Sequence, residues 1–193
     1  MKKLPMLMIL AMTLLVSACG SKEVPNANNW ETEDFSFVDQ NGEEFSKSDL
    51  KGKVWVADFI FTNCTTICLP MTANLIKLQQ QLKDEGIKDV EFVSFSVDPE
   101  TDKPDVLKNY GTKMNVDLSN WHFITGYSQA EIEKFALDNF KTLVKKPENE
   151  DQVIHGTTFY LVDQEGTIIQ DYSGAKDVPY EEIIKHIKIL QNY

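Results

Sequence analysis

Two nearly continuous apolar runs constrain the fold of this chain more than any other feature. The segments KVWVADFIF (53–61) and VEFVSFSV (90–97) are rich in β-branched and aromatic residues, which is typical of strands buried on both faces of a sheet. Between them, apolar residues recur at helical spacing from Met71 to Leu82, and Gly86 marks the expected end of that helix. A strand, a helix and a second strand in this order favour a parallel pair joined by a right-handed crossover.

The remaining patterns add an N-terminal hairpin and a C-terminal pair of strands. FSFVDQNGEEFS (35–46) alternates apolar and polar residues around an Asn-Gly turn, which predicts a β-hairpin. WHFITG (121–126) predicts one more strand, TTFYLVDQEGTIIQDY (157–172) predicts two joined by a turn, and a last helix is expected from about Pro179. The predicted fold is therefore α/β, with a central mixed sheet flanked by helices.

The extreme N-terminus has the pattern of a signal peptide. Lys2 and Lys3 precede an apolar stretch (6–16) that is too short to span a membrane comfortably as a mature helix. The sequence V-S-A-C that follows ends at Cys19 and resembles a bacterial lipobox, in which the cysteine is acylated and becomes the first residue. The alternative is an ordinary secretory signal with an incidental cysteine.

These boundaries divide the 193 residues into three parts. We expect a signal peptide over 1–18, a lipidated N-terminus and polar tether over 19–33, and one folded domain over 34–193. The lipid on Cys19 would hold the protein at the extracytoplasmic face of the cell membrane. A domain of this length can bury a substantial core.

Charge excludes one class of partner. The formal net charge is −11, and all 19 basic residues are lysines. An acidic chain without arginine is poorly suited to bind phosphate backbones, so no nucleic-acid partner is expected. We expect a monomer.

Cys64 and Cys68 are the two cysteines that remain for the folded domain once Cys19 is assigned to the lipid. Residues four apart on a helix have Cβ atoms roughly 5–6 Å apart, whereas a relaxed disulfide needs about 3.5–4.5 Å. A metal tolerates the wider spacing, and a disulfide remains possible if Cys64 precedes the regular helix. The polar residues around the pair disfavour two inert core cysteines: Thr62, Asn63, Thr65 and Thr66.

Topology is expected to bring a histidine to this pair. The cysteines and Asp98 follow the two buried strands, and ligands of parallel sheets collect at that edge. If the strand that begins at Thr157 is antiparallel, its start lies at the same edge, directly after His155. Two thiolates and an imidazole suit a soft metal, with copper first and zinc as the alternative. Asp98 is predicted either as a hydrogen-bond partner behind the ligands or as a simple turn residue.

Three segments, in order, carry a resemblance to the Sco/SenC family: DFIFTNCTTICLPMT, SFSVDPETDKPDVLK and VIHGTTFYLVDQEG. It extends from about Trp30 to the last helix and implies a thioredoxin-like fold. It also implies a membrane-anchored protein that binds one copper, as Cu(I) or Cu(II). The family's copper ligands fall on Cys64, Cys68 and His155, and its acidic residue falls on Asp98. The implied partner is the copper-site subunit of cytochrome c oxidase, whose binuclear copper centre these proteins help to assemble.

Two departures accompany this resemblance. The family usually has proline directly after the second cysteine, where this chain has Leu69 and only then Pro70. Thioredoxins also carry a cis-proline before the strand that corresponds to 157–162, and this chain has His155 and Gly156 there.

The residues and the resemblance leave two functions open. The first is a copper-binding chaperone, which an oxidised Cys64–Cys68 disulfide would switch off. The alternative is a thiol–disulfide oxidoreductase in which Cys64 and Cys68 form the catalytic pair that keeps the oxidase cysteines reduced. His155 discriminates between them, because thiol exchange does not require it. A thiol peroxidase is disfavoured, since peroxidases of this type use an arginine beside the reactive cysteine.

Overall fold

A six-stranded mixed sheet forms the centre of the molecule, and a separate two-stranded hairpin accompanies it. The structure, a computed structural model, describes residues 23–192. The strands are β1 (Trp30–Glu31), β2 (Ser36–Val38), β3 (Glu44–Ser46), β4 (Val54–Ile60), β5 (Val90–Ser96), β6 (Trp121–Ile124), β7 (Thr158–Val162) and β8 (Thr167–Ser173). The helices are a 3₁₀ turn (Lys47–Leu50), α1 (Cys68–Asp84), α2 (Pro104–Lys113), α3 (Gln129–Phe140) and α4 (Tyr180–Leu190).

The two apolar runs form neighbouring parallel strands inside the sheet, which confirms the predicted parallel pair. The strand order is β1-β8-β7-β4-β5-β6, with β4 parallel to β5 and antiparallel to β7. Every residue of β4 and β5 is buried, which explains why both segments lack the alternation of a half-exposed strand. Because β7 is antiparallel to β4, the start of β7 lies at the edge where β4 ends.

Helix boundaries follow local sequence signals. Ser128 caps α3, because its hydroxyl accepts a hydrogen bond from the N–H of Glu131 and its own N–H donates to the Glu131 carboxylate at 2.7 Å. Pro104 occupies the first turn of α2, where its missing N–H is harmless. The helical spacing noted in the sequence corresponds to the buried side of α1, where Met71 and Leu75 are completely buried.

An aromatic layer packs α3 against the centre of the sheet. Phe59 of β4 stacks on Phe95 of β5 at 5.6 Å between ring centroids, and Phe140 of α3 meets Phe59 edge-on at 5.1 Å. All three rings are at most 1% exposed. This packing fixes the carboxyl ends of β4 and β5, where the predicted site lies.

The predicted N-terminal hairpin is confirmed. β2 pairs antiparallel with β3, and Gly42 adopts a positive φ of 80° in the turn between them. Val38 forms a bridge with Thr125, just after β6, so the hairpin is fastened to the edge of the main sheet.

The structure differs from the predicted tether. Trp30 and Glu31, which the sequence analysis assigned to the tether over 19–33, form β1 and pair with β8. Val24 and Thr32 are also buried, so the part of that tether from about residue 24 packs on the domain. A two-residue strand is too short to produce a visible pattern, which is why it was missed.

Residues 1–22, including Cys19 and the predicted signal peptide, lie outside the described residues. Within residues 23–192, no helix combines the length and apolar character needed to cross a membrane.

Candidate metal centre

Cys64 and Cys68 lie where β4 passes into α1. Cys64 is in the loop after the strand, and Cys68 is the first residue of the helix. Both are free thiols, and the backbone N–H of Cys68 donates a hydrogen bond to Cys64 Sγ at 3.3 Å. Cys64 therefore precedes the regular helix, the geometry in which a disulfide as well as a metal site remains possible.

His155 reaches this pair from the loop before β7, as the topology predicted. Its Nε2 lies 3.4 Å from Cys68 Sγ, and its Nδ1 lies 2.8 Å from the carbonyl oxygen of Gly156. Because a carbonyl oxygen only accepts, Nδ1 carries the hydrogen in the neutral ring, and the lone pair of Nε2 points to the sulfur. The imidazole is thus held in the tautomer that a metal ligand needs.

The three side chains together fit a soft metal. Cys64, Cys68 and His155 each offer one ligand atom, and these atoms all lie within 4.8 Å of one another. Metal–sulfur and metal–nitrogen bonds of about 2.0–2.3 Å require only a small contraction of such a set. No fourth His, Cys, Asp or Glu ligand joins this group within residues 23–192. Two sulfurs and one imidazole match copper better than a closed structural zinc site.

Electrostatics distinguishes the two thiols. Burial raises the pKa of Cys64, but hydrogen bonds from the Cys68 thiol and from backbone N–H groups around the start of α1 outweigh it. The pKa of Cys64 is therefore held below its usual range. Burial raises the pKa of Cys68 well above its usual range, and its hydrogen bond to Cys64 acts in the same direction. Cys64 is thus the first of the pair to become a thiolate.

Burial also keeps the histidine neutral. It lowers the pKa of His155, and the hydrogen bond to Gly156 only partly opposes that effect. The Phe61 ring meets the imidazole edge-on at 5.7 Å between centroids. A neutral imidazole is the form that binds a metal.

A buried carboxyl group on β4 contributes to the surroundings of Cys68. Asp58 is 1% exposed, and Ser94 donates a hydrogen bond of 2.6 Å to its Oδ1. Its Oδ2 has no hydrogen-bond partner among the residues that the structure describes. Burial raises the pKa of Asp58 to about 7, and its charge is one of the influences that raise the pKa of Cys68.

Asp98 lies at the predicted edge of the sheet but bonds elsewhere. It forms an ion pair of 2.7 Å with Lys146, and its N–H donates to the Ser96 hydroxyl. Within residues 23–192 it makes no hydrogen bond to either cysteine or to His155. Any influence of Asp98 on the ligands therefore passes through other residues.

A glutamine joins the two loops of the site. The Gln152 amide donates to the Asn63 carbonyl at 3.0 Å, and its Oε1 accepts from the N–H and hydroxyl of Thr65 at 3.3 and 3.2 Å. A shallow cavity of about 280 Å³ lies between these loops and is bordered by Cys64 and His155. Ile154 borders this cavity and is 55% exposed, and Leu69, directly after Cys68, is 50% exposed.

Three residues around the site were not predicted from the sequence. Asp58 had a visible signal, since it is a charged residue inside an otherwise apolar strand. Asp102 stands two residues before Pro104, a sequence typical of a helix start, although it is completely buried. Gln152 had no signal, because its contacts depend on how two distant loops meet.

The other two histidines of the chain lie away from this site. His122 on β6 pairs with Glu91 at 3.2 Å, and His186 on α4 accepts or donates a 2.7 Å hydrogen bond with the Tyr172 hydroxyl.

Comparison with known proteins identifies the family of this thioredoxin-like chain. The SCO1/SenC family model matches residues 24–192, and the chain therefore belongs to that family. A SCO1/SenC family lipoprotein from Bacillus anthracis is 55% identical, with a TM-score of 0.84 over 87% of this chain and 99% of that one.

Two further solved structures bear on the chemistry. BsSco, described as a member of the Sco family of cytochrome c oxidase assembly proteins with a disulfide switch, is 52% identical. Its TM-score is 0.80 over 87% of this chain and 97% of that one. ScoI from Arabidopsis thaliana, solved with copper bound, is 25% identical, with a TM-score of 0.70 over 84% of this chain and 99% of that one.

Proposed function

We propose that this protein binds one copper ion through Cys64, Cys68 and His155 and delivers it to the binuclear copper centre of cytochrome c oxidase during assembly. The observation that carries the proposal is the convergence of the three ligand atoms within 4.8 Å of one another. A copper-bound relative and a relative described as an oxidase assembly protein support it.

The residues of the chain have separate tasks in this function. Cys64, with its lowered pKa, provides the first thiolate, and Cys68 loses its proton as the metal arrives. His155 offers Nε2 as the third ligand, oriented by the Gly156 carbonyl. Copper supplies a soft Lewis acid that exchanges ligands readily with the thiolates of a partner, here the copper-site subunit of the oxidase.

Thiol–disulfide exchange is the second candidate function, and the difference between the two thiols favours it. The Cys64 thiolate would attack one sulfur of a partner disulfide and release the other as a thiolate. Cys68 would then lose its proton and attack Cys64 Sγ, which releases the second partner thiol. Two electrons pass to the partner, and a Cys64–Cys68 disulfide remains.

Anchoring at the membrane through Cys19 belongs to the same proposal. The lipobox-like sequence and the related lipoprotein support it. Replacing the acylated sulfur in the full chain, by Cys19→Ser, is expected to move the protein from the membrane fraction to the soluble extracytoplasmic fraction. A wild-type protein found in the soluble extracytoplasmic fraction would refute this attachment.

The two candidate functions are separated by His155→Ala. Loss of a direct ligand should lower Cu(I) affinity by more than the roughly 10–100-fold typical of an outer-sphere partner, while the rate of disulfide exchange should stay within about twofold, because no exchange step uses the imidazole. Affinity is measured by competition with a Cu(I) chelator on the reduced protein.

His122→Ala is the matched control, since it removes a histidine that lies on β6 and pairs with Glu91. It should leave copper affinity unchanged. Unchanged affinity in His155→Ala would contradict the three-ligand site. A wild-type protein that binds no stoichiometric copper but exchanges disulfides would favour the second function.

A further inference from the structure

A buried chain of hydrogen bonds connects the loop before Cys64 with the loop before His155, and Asp102 lies at its centre. Asp102 and Ser96 are completely buried, and Asp98 is 2% exposed. Buried carboxylates are costly unless each oxygen is satisfied, so their contacts here are specific features of the fold.

At the cysteine end, one carboxylate joins the ends of two strands. Asp102 Oδ2 accepts hydrogen bonds from the Thr62 N–H at 3.1 Å and from the Ser96 hydroxyl at 2.6 Å. Its Oδ1 accepts from the Thr62 hydroxyl. Thr62 stands two residues before Cys64, so Asp102 fixes the exit of β4 relative to the end of β5.

From Asp102 the hydrogen bonds continue to the neighbouring acid. The Asp102 N–H donates to the Asp98 carbonyl at 2.8 Å, and the Asp98 N–H donates to the Ser96 hydroxyl at 3.1 Å. The Asp98 carboxylate then pairs with Lys146, whose side chain is only 20% exposed.

At the histidine end, Lys146 continues the path into the loop that carries the ligand. Its neighbour Lys145 exchanges two backbone hydrogen bonds of 2.9 Å with Ile154. Ile154 directly precedes His155. The ion pair and the backbone bridge thus hold the histidine loop against the end of β5.

We infer that Asp102 is a positioning residue for the metal ligands, because it sets the distance between the cysteine loop and the histidine loop through Thr62, Ser96 and the Asp98–Lys146 pair. The Asp102 carboxylate accepts from the Thr62 N–H, the Thr62 hydroxyl and the Ser96 hydroxyl, and its charge strengthens all three bonds. The neutral amide of Asp102→Asn weakens these bonds, and its N–H group is accommodated only if a hydroxyl turns to accept it.

The test is a double-mutant cycle with Asp102→Asn and His155→Ala, read as Cu(I) affinity by chelator competition. Asp102→Asn should lower affinity about tenfold when His155 is present, the effect expected of an outer partner. In the His155→Ala background the two loops no longer share the metal, and Asp102→Asn should then change affinity less than about twofold. An equal loss in both backgrounds, or no loss in either, would overturn the inference.

A second readout needs no metal. Amide hydrogen exchange of Ile154 should become faster in Asp102→Asn, because its bond to the Lys145 carbonyl depends on the held loop, while amides of β8 stay protected. Unchanged exchange at Ile154 would also overturn the inference. Should Asp102→Asn fail to fold, Thr62→Val is the substitute variant, because it removes one hydroxyl from the same series of hydrogen bonds. Thr32→Val is then the matched control, since it removes a buried hydroxyl that donates to Gly166 far from the site.

The inference rests on the proposed copper site for its affinity readout alone. A wild-type protein that binds no copper would refute the proposed function, whereas the exchange measurement on the metal-free protein would still decide the role of Asp102.

Discussion

The cysteine half of the site (residues 60–68) and the histidine half (residues 142–157) are held by different kinds of structure. The cysteines join the central strand to a long helix, above the completely buried Met71. His155 lies on a loop that is closed by a backbone bridge between Lys145 and Ile154. Ion pairs of Lys145 and Lys146 and the contacts of Gln152 join this loop to the rest of the domain. The first half is built on the central strand, whereas the second is a loop anchored by side chains.

This difference predicts which substitutions should change the stability of the domain and which should change its copper affinity. Changes beneath the cysteines should alter the stability of the whole domain, because they act on the centre of the sheet. Changes beneath the histidine should alter metal binding with little effect on stability. Two substitutions, one in each half, test whether stability and copper affinity respond separately in this way.

The largest effect is expected from Asp58→Asn on stability. The pKa of Asp58 is raised from 3.8 to about 7 in the folded protein, which at about 1.4 kcal/mol per pKa unit corresponds to a stability difference on the order of 4 kcal/mol. Since the folded state holds this proton more tightly, the extra stability is fully present below about pH 4 and is lost as the pH rises through about 7. Because asparagine does not ionise, Asp58→Asn should not lose this stability as the pH rises.

Urea unfolding of both proteins from pH 4 to 8, with the thiols kept reduced, measures this effect. The variant should match the wild type near pH 4 and exceed it increasingly toward pH 8, while its Cu(I) affinity changes only a few-fold. Parallel dependences of stability on pH for the two proteins would contradict a pKa of Asp58 that burial raises.

Gly156→Ala is expected to have a smaller effect on stability than Asp58→Asn but a larger effect on Cu(I) affinity. A Cβ at this position would lie 2.5 Å from Thr142 Oγ1, so the Thr142 side chain or the backbone beside His155 must shift. Overpacking of this kind costs about 1–3 kcal/mol in a core and should be at the lower end in this loop. Because the Gly156 carbonyl orients the imidazole, Cu(I) affinity should fall about tenfold.

Thr142→Ala provides the control and the rescue. It removes the atom that the new methyl group would meet, so the Thr142→Ala/Gly156→Ala double variant should recover most of the lost copper affinity. Full affinity in Gly156→Ala alone would mean that the histidine half adjusts freely, and the contrast between the halves would be wrong.

Much of the site could be predicted because it depends on chain order. Cys64 and Cys68 follow a strand with an unmistakable apolar pattern, and the antiparallel direction of one later strand was enough to bring His155 to them. The contacts that hold the site were not predictable in this way. The partner of Asp98 is Lys146 in a loop without periodicity, and Asp102 carries the signal of a helix start in addition to its buried role.

Cys68 and His155 are 87 positions apart in the sequence, and this separation has a consequence for the maturation of the protein. The proposed third ligand reaches the cysteines only when β7 has paired with β4, which requires nearly the whole chain. An emerging or truncated chain would offer two sulfurs and no imidazole, and would hold copper more weakly. Under the proposed function, full copper affinity is therefore reached only after the domain has folded, and an incompletely folded chain does not carry copper to its partner.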